Sequence, residues 1–362
     1  MNQGMLRPNA SFQNMNRPPD GIRSNKSCGN IGPIDSDGYF TCGPGEVVNG
    51  YTMVRLLGQG TFGRVLEATK NNQSFAVKIS RQGDQFLSAC EHELDILNKL
   101  SHTNVSPKLH DSFQLYGCVF MVMEFCEQNF QDYLAQFRSG LPFRLFTQVA
   151  TRLAHLLHTL HLLHIVHADF KPANIMLLRY NDLSSLRLID FGSANSSADL
   201  EHYIQSRWFR APEVLFKKRP YTSKIDSWGL GCVLFFARKR VHLFEASSEH
   251  MLCRQMIGIL KMPLHFNSTF FVKNTFQFLF QNKKELEELE IDKNAPFFPN
   301  SGVLKAVGRP QCDARDWKVE LQNVELDEGD EEEEIIMKII KGLIQWEPEE
   351  RLDVKKVLDI LE

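Results

Sequence analysis

The chain has no pair of cysteines at CxxC spacing, and its eight cysteines fall into no even framework. That argues against a disulfide-stapled extracellular module and points to reduced thiols in an intracellular compartment. No uninterrupted apolar run is long enough to span a bilayer. The best candidate, Leu153 to Val166, is broken by His155, His158, His161 and His164. The first residues lack the charged-then-apolar pattern of a signal peptide. Net charge is also scarce, −3 over 362 residues, which gives no reason to expect nucleic acid or an anionic membrane as a partner. No internal repeat is visible. The expectation is a soluble intracellular protein, cytoplasmic, nuclear or both; the short basic clusters Lys217-Lys218-Arg219 and Arg238-Lys239-Arg240 fit structural roles and do not choose between compartments.

What the sequence does have is enough apolar content (43% hydrophobic residues) to bury a large core. Residues 1–34 are rich in Asn, Pro, Gly and Ser, and predict a disordered tail. A lead-in segment over 35–50 follows. From Tyr51 to Ile79 apolar and polar residues alternate, interrupted by glycines, as in consecutive hairpin strands. Glu91 to Leu100 has helical spacing, with Leu94, Leu97 and Leu100 on one face. Val119 to Phe125 reads as a buried strand leading into a connector. From Phe143 onward the pattern is mainly helical, with an apolar helix over Trp228 to Phe236. A small β lobe (51–126) followed by a larger helical lobe (127–362) is expected. Lys284 to Asp292 reads as an exposed helix, and the acidic run at about 325–334 as a solvated insert before a helix starting at Ile335.

Three signatures stand in fixed order between Ile165 and Glu213: His167-Ala168-Asp169-Phe170-Lys171-Pro172-Ala173-Asn174, then Asp190-Phe191-Gly192, then Ala211-Pro212-Glu213. Together they mark phosphoryl transfer to a protein. Upstream, Gly58-Gln59-Gly60-Thr61-Phe62-Gly63-Arg64-Val65 matches G-x-G-x-x-G-x-V. Dinucleotide-binding folds use a similar glycine pattern but open a helix after it. Here strand character resumes and reaches Ala76-Val77-Lys78, which favours a hairpin whose backbone N–H groups lie over ATP phosphates. Lys78 is the expected phosphate anchor, paired with a carboxylate on the following helix. Glu91, Glu93 and Asp95 compete for that place; Glu93 is preferred because it leaves Leu97, one turn on, to pack inward beside Phe191. Asp169 fits the base that accepts a substrate hydroxyl proton, Lys171 a neutraliser of the transferring group, and Asn174 and Asp190 oxygen ligands for Mg2+. The histidines at 155, 158, 161, 164 and 167 lack a nearby cysteine or acid to complete a zinc set, so satisfied or surface roles fit them better.

In these motifs the chain resembles the eukaryotic protein kinases from about Asp35 to Arg351. The Tyr203-Ile204-Gln205-Ser206-Arg207-Trp208-Phe209-Arg210 stretch, with His167-Ala168-Asp169 and Glu127-Gln128-Asn129, is similar to the dual-specificity tyrosine-regulated and homeodomain-interacting branch of the CMGC group. Asp35-Ser36-Asp37-Gly38-Tyr39 also resembles lead-in segments of that branch and of LAMMER-type kinases. Residues from about 265 to 335 match poorly. The resemblance implies a bilobal α+β kinase fold, a small antiparallel β lobe with one main helix and a large helical lobe, using ATP and Mg2+ on protein substrates. It implies that Leu57, Gly58, Gly60, Gly63, Val65, Ala76 and Lys78 line the nucleotide. Glu124 and Cys126 would offer backbone groups to adenine, and Met123 would guard the pocket. Asp226 would brace the loop at His167, and Glu213 would pair with Arg351.

The resemblance also implies that Tyr203 is autophosphorylated and held by Arg207 and Arg210, a fitting pair for a doubly charged phosphate. Ala168 replaces an arginine that many kinases use for a phosphorylated loop, as this branch commonly does. Ala173 and Phe236 stand where the branch often places acids to receive a substrate arginine, so that preference is expected to be weak. The alternative is a catalytically inactive pseudokinase scaffold. The presence of Lys78, Glu93, Asp169, Asn174 and Asp190 weighs against it. A small-molecule phosphotransferase is disfavoured by Ala211-Pro212-Glu213, a peptide platform in the family.

Overall fold

Three two-residue turns set the first part of the chain: Asn49-Gly50, Asn71-Asn72 and Tyr116-Gly117, each with positive φ at both positions. Such turns match the twist of the strands they join and so fix hairpin register. The computed structural model describes residues 33–200, 204–260 and 331–362. They divide into two compact units, Met1–Glu127 and Gln128–Glu362. Most of the expected tail, Tyr203, the Lys284–Asp292 stretch and the acidic run up to Asp330 lie outside the described residues.

The first unit is built on a six-stranded antiparallel sheet in the order β1-β2-β3-β4-β6-β5. Its strands are β1 (Val47–Val48), β2 (Tyr51–Gly60), β3 (Gly63–Lys70), β4 (Gln73–Ser80), β5 (Leu109–Leu115) and β6 (Cys118–Glu124), with helix α1 (Asp84–Lys99) between β4 and β5. Along β4 the residues alternate, Phe75, Val77 and Ile79 buried and Ser74, Ala76 and Lys78 half-buried. The buried set joins Phe40, Tyr51, Met53, Leu66, Phe120 and Val122 in one core. Residues 35–50 are therefore part of this unit: Phe40 fills its core and Val47–Val48 extends its sheet. Helix α1 buries Phe86, Cys90, Leu94, Ile96 and Leu97. It starts at Asp84, seven residues before the Glu91 expected from leucine spacing alone.

In the second unit a three-stranded sheet, β7 (Gln128–Asn129), β8 (Ile175–Leu177) and β9 (Leu186–Leu188), accompanies helices α2 (Phe130–Ala135), α3 (Phe143–Leu162), α4 (Pro212–Leu215), α5 (Lys224–Lys239), α6 (Glu249–Leu260), α7 (Glu331–Leu343) and α8 (Val354–Leu361). Helix α5 is buried continuously from Ile225 to Ala237, apolar around its circumference except at Asp226 and Ser227 near its start. No helix among the described residues is long and apolar enough to cross a membrane.

One boundary differs from expectation. Helix α7 begins at Glu331, so the last four residues assigned to a solvated insert, Glu331 to Glu334, form its first turn. Carboxylates there favour the positive end of the helix dipole. Glu333 also bonds Arg238 at 2.6 Å and Lys239 at 3.3 Å, partners nearly a hundred residues away.

The second unit is cross-tied by Arg351, whose guanidinium meets Glu213 in two bonds, 2.7 and 3.0 Å, with both side chains almost wholly buried (0% and 3% exposed). Removing one partner of a desolvated pair leaves the other charge stranded. Glu213→Ala is expected to lower unfolding free energy by about 3 kcal/mol or more in denaturant titration; a loss under about 1 kcal/mol would show that the pair holds little.

Candidate active site

In the first unit, the turn Thr61-Phe62 closes β2 onto β3 with Gly60 opposite Gly63. The glycines differ in why they are glycine. A Cβ on Gly63 would fall 2.1 Å from the Ile79 carbonyl oxygen, so the fold itself forbids a side chain. On Gly58 and Gly60 a Cβ would meet nothing within 4 Å, and neither has positive φ. Packing around them therefore does not demand glycine, and the space beside the hairpin at these two positions is open.

Lys78 lies on β4 directly across from Val65, two residues from Ala76, which itself faces Met123. Strand alternation puts these side chains on one half-buried face. The Lys78 ammonium contacts both carboxylate oxygens of Glu93 at 2.7 Å. Glu93 is buried at 4% exposure, whereas Glu91 and Asp95 are exposed, so the helix presents one of its three acids inward. Burial, and after it the Glu93 charge, pushes the Cys90 thiol up to about 11. Leu57 is exposed. The Glu124 N–H is used by the Lys108 carbonyl at 2.9 Å, so a planar base would meet its carbonyl; Cys126 is half-buried just beyond.

In the second unit, Asn174 precedes β8 and Asp190 follows β9, and these strands pair with Ile175 opposite Leu188. Ile189 N–H donates to the Asn174 carbonyl at 3.0 Å. The hairpin thus brings together two oxygen-bearing side chains sixteen positions apart in sequence. Asp190 sits at φ 64°, a left-handed conformation uncommon for non-glycine residues. Phe191 anchors it, 1% exposed, its ring 5.1 Å from that of His167.

Asp169 is the hub of this loop. Its Oδ1 accepts the Ser206 N–H at 2.8 Å, its Oδ2 the Lys171 ammonium at 2.6 Å, and the Asn174 amide nitrogen donates to its carbonyl at 2.9 Å. Lys171 also donates to the Ser206 hydroxyl at 2.7 Å. Ser206 therefore orients both Asp169 and Lys171, and sequence reasoning missed it; its place in Gln205-Ser206-Arg207, just before Arg210-Ala211-Pro212-Glu213, was the available signal. The Asn174 amide turns its nitrogen to Asp169, which presents its oxygen as a hard donor suited, with the Asp190 carboxylate, to a magnesium ion.

Asp226, fully buried at the start of α5, accepts from the backbone of His167 (2.8 Å) and Ala168 (3.0 Å) and bonds the His161 ring (2.9 Å). With both amides held, Ala168 adopts φ 62°. His167 is buried with its Nε2 3.2 Å from the Ile189 carbonyl, while His155 and His164 are exposed. Among the described residues no three His, Cys, Asp or Glu gather as a metal centre.

Arg207 opens a short helical turn, Arg207–Phe209, and Arg210 closes it. Arg210 is buried, donating to the Ile204 and Gln205 carbonyls and contacting Glu249. Arg207 donates to the Ser247 carbonyl at 2.7 Å. Tyr203 itself is outside the described residues.

A model of the protein kinase domain matches residues 51–360. Homeodomain-interacting protein kinase 1 of Caenorhabditis elegans is 31% identical over 269 residues, 70% of this chain and 32% of that protein. Its namesake from Mus musculus is 32% identical over 61% of this chain and 19% of its own length. Dual specificity protein kinase YAK1 of Saccharomyces cerevisiae is 31% identical over 59% of this chain and 27% of its own length. The chain thus spans a third or less of these relatives.

Removing the Asp226 carboxylate would strand two buried backbone N–H groups and the half-buried His161 ring at once. Asp226→Ala is expected to cost about 3 kcal/mol of stability in urea. A cost under about 1 kcal/mol would mean that the loop backbone holds its own shape.

Proposed function

Starting from a chain that belongs to the protein kinase family, with its similarities in the homeodomain-interacting and YAK1 branch, we propose that it transfers the terminal phosphoryl group of ATP to serine or threonine hydroxyls of proteins and to its own Tyr203. The observation that carries this reading is Asp169. Both its carboxylate oxygens are oriented, by Ser206 and Lys171, yet the side chain stays 16% exposed and within reach of a substrate.

In this reading Asp169 accepts the proton of the attacking hydroxyl at a carboxylate oxygen. Lys171, already 2.6 Å from that carboxylate, balances negative charge on the transferred group. Lys78, steadied by Glu93, holds the α- and β-phosphates, and the amides of Gly58 to Gly63 cover them. Asn174 and Asp190 would hold Mg2+, which would supply positive charge against the phosphates. Leu57, Val65 and Ala76 contact the adenine, and Glu124 and Cys126 supply its backbone hydrogen bonds. For Tyr203, a phosphate carrying close to two negative charges would compete with Glu249 for Arg210.

Phosphosite mass spectrometry on protein expressed in bacteria tests the reading. Phosphotyrosine at Tyr203 is expected in the wild type and absent from Asp190→Asn. Phosphate on neither protein would instead favour a binding scaffold. In active protein, Asp169→Asn is expected to reduce kcat by at least about a hundredfold.

Substrate choice follows from two positions. Ala173 offers only an exposed methyl group, and Phe236 stacks on His242 at 4.4 Å with the Arg240 guanidinium 4.9 Å from its ring. Neither accepts a charge-assisted bond, and Arg240 opposes a further cation. A peptide array should therefore show little selection for an upstream arginine while tolerating proline after the target; strong upstream-arginine selection would defeat this assignment.

A further inference from the structure

Residues 33–42 have no part in the chemistry above, yet they grip the glycine hairpin. The segment is first shaped by Asp35, whose Oδ1 accepts the Asp37 and Tyr39 N–H groups at 3.0 and 2.9 Å, while Gly38 N–H donates to the Asp35 carbonyl at 3.0 Å. Phe40 then nails it to the core, its ring edge-on to Phe120 at 5.1 Å. From that base Tyr39 reaches the hairpin: its hydroxyl donates to the Gly60 carbonyl at 2.9 Å. The Tyr39 ring lies against two guanidinium groups, Arg64 at 4.7 Å and Arg81 at 4.9 Å.

Both arginines carry the grip further. Arg64, on the returning strand, bonds Asp35, the Phe40 carbonyl and the Gln59 side chain. Arg81 bonds the Asp37 carbonyl at 2.8 Å and the Thr61 carbonyl at 3.4 Å. Gln59, Gly60, Thr61 and Arg64 are thus all tied, directly or through one arginine, to the lead-in. The hairpin needs such a hold, because Gly58 and Gly60 contribute no packing and Phe62 at its tip is 62% exposed.

We propose that Tyr39 is a positioning residue, its hydroxyl latching the glycine hairpin in place for the nucleotide. The nucleotide part rests on the kinase reading; the latch does not. Without it the hairpin samples open positions and binding must select the closed one, which weakens apparent affinity in proportion.

Tyr39→Phe removes the hydroxyl and keeps the ring between the arginines. In the full chain without nucleotide, amide hydrogen exchange over residues 58–63 is expected to quicken about fivefold, the worth of one hydrogen bond. KM for ATP should rise by a similar factor with kcat within about twofold, and Asp35→Asn should shift both in the same direction. Exchange equal to wild type would overturn the latch. Faster exchange with unchanged KM would overturn the positioning role. An inactive wild type would defeat the kinase reading alone, and the exchange rates would still decide whether Tyr39 holds the hairpin.

Discussion

A carboxylate with no exposed surface, Asp226, sets the geometry on which the rest of the candidate site depends. Burying it is tolerable only because three donors meet it, two of them consecutive backbone amides. Drawing both amides to one side forces Ala168 into left-handed backbone, and that kink turns Asp169 toward Lys171, Asn174 and Ser206. The strain is local and the gain is orientation: a chain of bonds runs from an interior helix to a carboxylate that is still partly open to solvent. An alanine tolerates that backbone only at a cost, so the anchor and the strained residue are one device.

The two units solve a shared problem differently. In the first, the ammonium of Lys78 meets both carboxylate oxygens of Glu93 on α1, a pair worth little in water but more where Glu93 is buried. In the second, no single pair dominates; Asp169 is held by several neutral and charged donors. A network of that kind fixes direction more tightly than one ion pair does.

Much of this was readable from residue order. The hairpin glycines, Lys78, Asp169, Asn174 and Asp190 stand out because they fall in motifs of particular residue types at short, fixed spacings. Glu93 was separable from Glu91 and Asp95 because leucine spacing tells which helix face is buried. The hairpin at Asn49-Gly50 carried a strong turn signal, yet the segment before Tyr51 read as a separate lead-in. What sequence could not carry were contacts whose partners are distant and whose residue types are common. Ser206 is one serine among many until the loop places it on Asp169 and Lys171. Tyr39 finds Gly60 only through the turn that Asp35 makes. Glu331, Glu332 and Glu334 are exposed as expected, but Glu333 pairs with Arg238 and Lys239, partners too far away in the chain to be foreseen.

Those distant ties bear on how the chain closes on itself. Glu213 with Arg351, Arg238 with Glu333 and Lys218 with Glu347 each join a residue before Leu260 to one after Glu331. Their partners stand 138, 95 and 129 positions apart in sequence. Contacts of such long separation raise the contact order of the second unit, and chains rich in them fold more slowly than chains held by local contacts.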